Sequence, residues 1–300
     1  MSIASNNISF FFLFVAAVQA HMQLYWPPPF AAENNPHRTD AADPYLTYPY
    51  NCCGKTTPFP CKGYLKLVGT PQGAPVVTWT TGSSVNFSLT GLGNHYGGSC
   101  QVGFSVDNGT TWKVAKSFEG DCPHRNGGVD PAKQTFNFTV PADMPTGNHI
   151  FAWTWFNREQ EFSMLCSSVN IVGGSKHVTP LLASRTSTAS PTATSSSYVN
   201  YNGCTCQCPA VSGPLSIRNN DYIHSSSKEL EWNNKSNASA SPGHIAFHDR
   251  PSFLFADIDN GCETPKTTAE VKYPNPGPDI QPGDGVYPLA LPSPGQKCGY

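Results

Sequence analysis

The chain has 300 residues and a formal net charge of −2, from 18 basic and 20 acidic side chains. Charged residues make up only 13% of the sequence and form no basic run, which argues against a role built on neutralising phosphates. Aromatic residues make up 12%, and 26 glycines and 28 prolines supply many turns. This composition is too apolar for a disordered chain and too rich in turn residues for a helical bundle, so it favours an all-β protein.

The first twenty residues have the pattern of a secretory signal peptide. An apolar run from Ile8 to Val18 is too short for a membrane span, and Val18-Gln19-Ala20 places small side chains where signal peptidase cleaves. No Lys or Arg precedes the run, and a buried N-terminal strand is the alternative interpretation. Eleven cysteines and five later glycosylation sequons also favour secretion. We expect cleavage after residue 20, a mature chain that begins at His21, and an extracellular or cell-wall location without a membrane anchor.

Residues 21–172 are predicted to form an immunoglobulin or fibronectin III-like β-sandwich. Short runs of alternating apolar and polar residues are separated by Gly- and Pro-containing turn signals, and no helix-period pattern intervenes. The run from Ile150 to Phe156 is apolar on both faces, as in a central strand, so its Trp153 and Trp155 are interpreted as core residues. The clearest alternation is found at Val85/Phe87/Leu89, Val102/Phe104/Val106 and Phe136/Phe138/Val140.

The composition changes after residue 172. Residues 173–203 are rich in Ser, Thr and Pro, which predicts an extended, disordered linker. Residues 204–300 combine five cysteines and many prolines with weak periodicity, so we expect a weakly ordered region held partly by disulfides. The Cys204-Thr205-Cys206-Gln207-Cys208 run is compatible with a soft metal ion, but an oxidising compartment favours disulfides. Because eleven is odd, one thiol stays free or pairs between chains.

The predicted mature N-terminus is the position best suited to metal chemistry. His21 would offer its free α-amine and its ring nitrogen, and one further imidazole would complete a planar set of three nitrogens. Such a set suits one Cu(II) ion and leaves coordination positions open. The amine must lose its proton to bind, which its ordinary pKa of about 8 permits at neutral pH. A solvated terminal histidine is the alternative interpretation.

His95 is the best candidate for the second imidazole. It lies in the Gly93–Cys100 loop, which enters an alternating strand, and Cys100 is placed to hold that loop through a disulfide. A histidine on a loop fixed beside a sheet is how a rigid metal ligand is presented. Tyr25, Trp26 and Tyr96 lie close in sequence to the two histidines, and of these Tyr96, next to His95, is the best candidate for stacking on a sugar substrate.

Several blocks of the sequence resemble the fungal lytic polysaccharide monooxygenases of auxiliary activity family eleven, in the family's order and across essentially all of residues 21–172. The blocks are His21-Met22-Gln23-Leu24 with Pro27-Pro28-Pro29, Phe59-Pro60-Cys61-Lys62-Gly63-Tyr64, His95 to Gln101 with Asp107-Asn108-Gly109-Thr110-Thr111-Trp112, Gly120-Asp121-Cys122-Pro123, and Phe151 to Asn157 followed by Glu161 and Cys166.

This resemblance implies a monomeric copper monooxygenase that oxidatively cleaves chitin or a related β-1,4-linked polysaccharide, supplied with electrons by an external donor and with dioxygen or peroxide. It assigns His21 and His95 to a histidine brace around one copper ion. It places Glu161 in a catalytic position near the open copper face, with a solvated strand-edge carboxylate as the alternative. The disulfide candidates are Cys61, Cys100, Cys122 and Cys166. No nucleic-acid or membrane partner is implied.

The chain departs from the family pattern at Ser163, which stands where the family has an axial tyrosine. Phe162 should point to the opposite face of its strand and so cannot replace the tyrosine. We therefore expect a more open axial position. Two alternative functions follow: a secreted histidine-brace copper-binding protein without polysaccharide turnover, and a cell-wall or chitin-binding module that uses the cysteine-rich tail.

Overall fold

The computed structural model describes residues 21–174, 245–266 and 268–300. The predicted signal peptide, nearly all of the predicted linker and the Cys204–Cys208 run lie outside the described residues and stay predictions. The described residues all belong to one compact unit. None of the helices in the described ranges is long and apolar enough to cross a membrane.

Strands dominate the described residues, and helices are confined to short turns. Four 3-10 segments occur at Cys61–Leu67, Pro71–Gly73, Pro131–Lys133 and Phe247–Asp249, and one α-helical turn, α1, spans Gly295–Cys298. The strands are β1 (Met22–Trp26), β2 (Asn51–Cys52), β3 (Lys55–Thr56), β4 (Val77–Thr80), β5 (Ser84–Gly91), β6 (Ser99–Ser105), β7 (Lys113–Glu119), β8 (Thr135–Thr139), β9 (Gly147–Phe156), β10 (Phe162–Val172), β11 (Glu270–Val271), β12 (Ile280–Pro282) and β13 (Leu289–Ala290).

Two sheets form the predicted β-sandwich. The smaller has the order β1-β5-β8 and the larger the order β12-β7-β6-β9-β10-β4. Strand β9 pairs antiparallel with β6 and β10, so the strand that is apolar on both faces is central, as predicted. The pairs β12·β7 and β10·β4 are parallel. The all-β sandwich prediction is confirmed.

The core between the two sheets follows from strand alternation. Phe87 and Leu89 of β5 are fully buried against Phe104 of β6 and against Phe151 and Trp153 of β9. Aromatic rings dominate this core and meet mainly at tilted or edge-on angles. Burial of side chains of this size contributes about 2 kcal/mol each to stability. The two tryptophans of β9 are core residues, as the sequence predicts.

The opposite face of the larger sheet is covered by the C-terminal segment, defined here as residues 245–266 and 268–300. Ile150 and Phe156 of β9 share a second buried cluster with Phe253, Val271 and Tyr273 of this segment. Strand β12 extends the same sheet by pairing with β7. These contacts correct the prediction of a weakly ordered region for the described part of residues 204–300. The segment shows no regular alternation of apolar and polar residues, because its order comes from packing on the outer face of the larger sheet.

Four disulfides join the described cysteines. Cys100–Cys122 and Cys61–Cys166 pair the four cysteines that were disulfide candidates. The first joins the start of β6 to the chain after β7, and the second joins a 3-10 segment to β10. Disulfides also link the adjacent Cys52 and Cys53, and Cys262 with Cys298 within the C-terminal segment.

Candidate metal centre

The side chains of His21, His95 and Glu161 converge at one end of the sandwich. One ligand atom from each lies within 4.8 Å of the other two, which makes this the group in the described ranges able to hold a metal ion. The two imidazole rings stack with centroids 4.6 Å apart and planes 20° from parallel. These are three residues that the sequence singled out, and the fold brings them together.

His21 enters the site because it immediately precedes β1. Only 6% of the surface of His21 is exposed. Met22 is paired with Gly91 of β5, whose φ of +141° and lack of a side chain allow close approach. A Cβ on Gly91 would lie 2.3 Å from the carbonyl oxygen of His21, so only glycine fits here. Edge pairing with β5 therefore fixes the backbone of His21 beside the His95 loop.

His95 projects from a tight loop between β5 and β6. His95 and Tyr96 have φ values of +46° and +56°, in the left-handed region that residues with side chains seldom adopt. Several hydrogen bonds hold this backbone: the Gly97 amide donates to the Asn94 carbonyl at 2.8 Å, and the indole of Trp155 donates to the Gly97 carbonyl at 3.1 Å. The ring of His95 lies 5.8 Å from that of Trp155.

The two ring nitrogens of His95 have different surroundings. Nδ1 lies 3.2 Å from a carboxylate oxygen of Glu159, which is largely exposed. Nε2 is buried and has no hydrogen-bond partner among the described residues. Buried polar atoms are usually paired, so an unpartnered ring nitrogen beside a second imidazole fits a metal-ligand position.

Glu161 is held at the site by the short turn that joins β9 to β10. The side chain of Asn157 donates to its carboxylate, and His21 Nε2 lies 3.1 Å from Oε2. Burial alone raises the pKa of Glu161, but these hydrogen bonds and the nearby imidazoles outweigh it and leave the pKa below its ordinary value. The carboxylate is therefore ionised at neutral pH and restrains the His21 ring.

Ser163 and Tyr96 occupy different environments near the three converging residues. Ser163 is 1% exposed and lies opposite Trp155 in the β9–β10 ladder, and its hydroxyl has no hydrogen-bond partner in the described ranges. Phe162 points to the other face and packs in the second cluster, as strand alternation predicts. Tyr96 is 69% exposed beside His95.

Sequence reasoning missed three side chains that support the site. Glu159 approaches His95, and Arg125 and Glu270 contact the His95 loop through its backbone. Glu159 precedes Glu161 by two residues, so its proximity to the site could have been suspected. Glu270 carries no comparable local signal, since it reaches the loop only through the tertiary fold.

The chain is similar in sequence to proteins of known family. An AA11 family lytic polysaccharide monooxygenase A from Aspergillus fumigatus is 39% identical over 158 residues, which cover 52% of this chain and 66% of that relative. The chain is a homologue of the AA11 lytic polysaccharide monooxygenases. A second AA11 relative from A. fumigatus, lytic polysaccharide monooxygenase B, is 32% identical over 57% of this chain and 40% of its own length. The chain thus spans just under two thirds of the first AA11 relative and about two fifths of the second.

Other comparisons are weaker. A solved cellulose-active polysaccharide monooxygenase from M. thermophila aligns with 13% identity and a TM-score of 0.27, covering 32% of this chain and 54% of that chain. No protein-family model matches the chain.

Proposed function

We propose that this protein is a secreted copper-dependent lytic polysaccharide monooxygenase that cleaves chitin or a related β-1,4-linked polysaccharide. The observation that carries the proposal is the convergence of His21, His95 and Glu161 within 4.8 Å in a homologue of AA11 enzymes. Secretion, an external electron donor and a monomeric state belong to the same proposal.

The residues present fit a copper ion. Two stacked imidazoles, one with a buried and unpartnered Nε2, together with the α-amine that cleavage before His21 would free, form a nitrogen-rich donor set. Nitrogen donors of this kind suit Cu(II). His21 and His95 would hold the ion, and bound copper would supply one-electron chemistry for oxidising a carbon of the glycosidic linkage with dioxygen or peroxide.

The protein's own contribution is rigidity and placement. Glu161 fixes the His21 ring through a 3.1 Å contact, while the left-handed loop backbone fixes His95. Rigid ligands favour one metal geometry and keep the reacting centre in register with a polymer surface. The exposed ring of Tyr96, beside His95, would stack on a sugar unit of that surface.

The decisive experiment compares two forms of the full mature chain loaded with copper. One begins at His21 with a native amine, and the other carries one extra alanine before His21. We expect a Cu(II) paramagnetic resonance spectrum typical of a nitrogen-ligated site, and oxidised chitin oligosaccharides by mass spectrometry with reductant and peroxide, only from the native form. A His95→Ala variant serves as a second negative control. Identical copper binding by the extended form would contradict the proposal.

A second candidate function is copper binding without polysaccharide turnover, and Ser163 favours it. The residue stands where AA11 enzymes are expected to have an axial tyrosine, and it is buried opposite Trp155. A serine there would put no aromatic ring beside a bound ion, which would change the surroundings in which His21 and His95 hold it. Tight copper binding by the native form, with no oxidised products from chitin or cellulose, would favour this candidate over the first.

A further inference from the structure

We propose that Glu270 is a positioning residue that holds the His95 loop (residues 94–98) from the C-terminal segment. Its relevance to copper rests on the proposed function, whereas the contacts that support it are those of the protein alone. Glu270 begins β11 and follows Gly98 by 172 positions. The site would then be completed by a part of the chain far from the β-sandwich sequence.

The buried carboxylate of Glu270 joins the His95 loop to the chain that follows β7. Oε1 of Glu270 accepts hydrogen bonds from the Gly98 amide at 2.9 Å and from the Asp121 amide at 3.2 Å. Gly98 follows His95 by three residues, and Asp121 precedes Cys122, the disulfide partner of Cys100. The side chain of Glu270 is only 1% exposed. Charge-assisted hydrogen bonds to a buried carboxylate are among the stronger ones in proteins.

Arg125 balances the buried charge of Glu270 and binds the loop from its other side. We call Glu270 and Arg125 together the clamp. Its Nη2 lies 3.1 Å from Glu270 Oε1, and its Nη1 donates to the carbonyl of Tyr96. A second carboxylate, Asp284, receives two hydrogen bonds of 2.6 Å from the same guanidinium. Glu270 and Arg125 therefore grip the loop backbone immediately after His95 at one amide and one carbonyl.

The backbone around the Glu270 carboxylate is shaped to admit it. Gly97 and Gly120 have φ values of +107° and +97°. A Cβ on Gly97 would lie 2.6 Å from Oε1, and a Cβ on Gly120 would lie 2.5 Å from Oε2. The two glycines thus form a cradle in which a side chain would collide with the carboxylate. Next to it, the Ser99 hydroxyl donates to the Val271 carbonyl at 2.7 Å, which anchors β11 at the same place.

A clamp of this kind is needed because His95 and Tyr96 sit in left-handed backbone conformations. Such conformations are unfavourable for residues with a side chain and persist when the surrounding structure enforces them. Loss of the clamp should let the loop relax and change the position of the His95 ring. Partners that orient a metal ligand typically alter metal affinity by 10- to 100-fold when they are removed.

The first test uses the unaltered protein without metal. Amide hydrogen exchange should show the Gly98 and Asp121 amides protected to the same degree as the central β9 amides. Exchange as fast as that of exposed turn amides would overturn the proposal, whether or not the protein binds copper.

The second test compares two variants of the full chain. Glu270→Gln keeps the shape of the side chain but places an amide nitrogen among groups that only donate hydrogen bonds. Asp279→Asn alters another carboxylate of the C-terminal segment, half-exposed and 3.7 Å from Lys116 of β7, and is the matched control. We expect Glu270→Gln to weaken Cu(II) binding about 10-fold and to change the paramagnetic resonance spectrum. The affinity of Asp279→Asn should stay within about 2-fold of that of the unaltered protein.

The outcomes separate this inference from the proposed function. Unchanged copper affinity and spectrum in folded Glu270→Gln would overturn the positioning role while leaving the copper site intact. Absence of copper binding by the unaltered protein would overturn the proposed function, and the exchange experiment would still decide whether Glu270 holds the loop. A thermal unfolding curve of each metal-free variant checks that folding is retained.

Discussion

Lys62 shows how a single buried charge ties this fold to pH. Only 7% of the surface of Lys62 is exposed. Its ammonium group donates hydrogen bonds to the Tyr48 carbonyl and, at 3.1 Å, to the Thr57 hydroxyl. Burial lowers the pKa of Lys62 from 10.5 to about 7, although the charge of Asp43 opposes the shift. Between these two values the unfolded chain binds a proton that the folded protein does not. Stability should therefore rise with pH in this window.

Replacement of Lys62 by methionine should flatten that dependence. For the unaltered protein the contribution of Lys62 is up to about 1.4 kcal/mol per pH unit, or roughly 2 kcal/mol between pH 7 and pH 9. Denaturant unfolding at several pH values measures the slope. Lys66→Met, at an exposed position nearby, is the matched control and should keep the slope of the unaltered protein. An unchanged slope in Lys62→Met would contradict the assignment.

Individual site residues could be predicted from the sequence when the signal lay in neighbouring residues, but not when their partners lie far away along the chain. The cleavage pattern predicts His21 and the disulfide-held loop predicts His95, because both signals are local, and the structure brings the two rings together. The role of Glu161 beside His21 came from the family resemblance. Glu270 could not be predicted, since a carboxylate among prolines acquires its partners only when the segment folds onto β6 and β7.

At the scale of elements, the Cys61–Cys166 disulfide has the largest sequence separation among the disulfides of the described residues. It links the 3-10 segment Cys61–Leu67 to β10 across a sequence separation of 105, and both cysteines are buried in the second cluster. Beside it, the Phe30 amide donates to the Cys166 carbonyl at 2.9 Å. The disulfide thus fastens the long connection between β1 and β4 to the face of the larger sheet.

Loss of this disulfide should reduce stability more than loss of the Cys100–Cys122 disulfide, which spans a separation of 22. The Cys61→Ala/Cys166→Ala double variant is expected to lose about 4 kcal/mol of unfolding free energy, because a longer loop is freed in the unfolded chain. The Cys100→Ala/Cys122→Ala variant should lose about 1 kcal/mol less. Guanidinium unfolding of both variants measures the difference, and a reversed order would contradict the expectation.

Alternation and apolar runs predict β5, β6, β8 and β9 of the sandwich, but not the short strands of the segment that covers it. Phe136 and Phe138 alternate with polar residues, and β8 forms across them. In contrast, β11, β12 and β13 have two or three residues each, too few for any periodicity to be visible. Their pairing is set by the edges and faces already present in the sandwich, so a local pattern does not reveal it.

At the scale of the whole molecule, the sandwich and the C-terminal segment form one compact unit. Phe247, Phe253, Val271 and Tyr273 are buried against the sandwich, and Gln101 of β6 accepts a hydrogen bond from a C-terminal backbone amide at 2.9 Å. Burial of these apolar side chains contributes about 2 kcal/mol each. Their sum is comparable to the total stability of an ordinary domain.

A chain that ends at residue 174 should therefore fail to fold stably. We expect residues 21–174 alone to bind a hydrophobic dye and to lose the cooperative thermal transition of the full mature chain, because the second cluster would be exposed on the sandwich side. Differential scanning calorimetry of both chains makes the comparison. A cooperative transition at the same temperature in the shorter chain would show that the sandwich is self-sufficient.

The 172 positions between the Gly98 amide and its carboxylate partner also set an order of events during synthesis. The ribosome produces the strands of the sandwich first and the acceptor for that amide roughly ten to thirty seconds later. Pairing across such a span is slow to form, because the intervening chain must close a long loop. The nascent polypeptide thus carries both imidazoles well before Glu270 can hold the loop that positions His95.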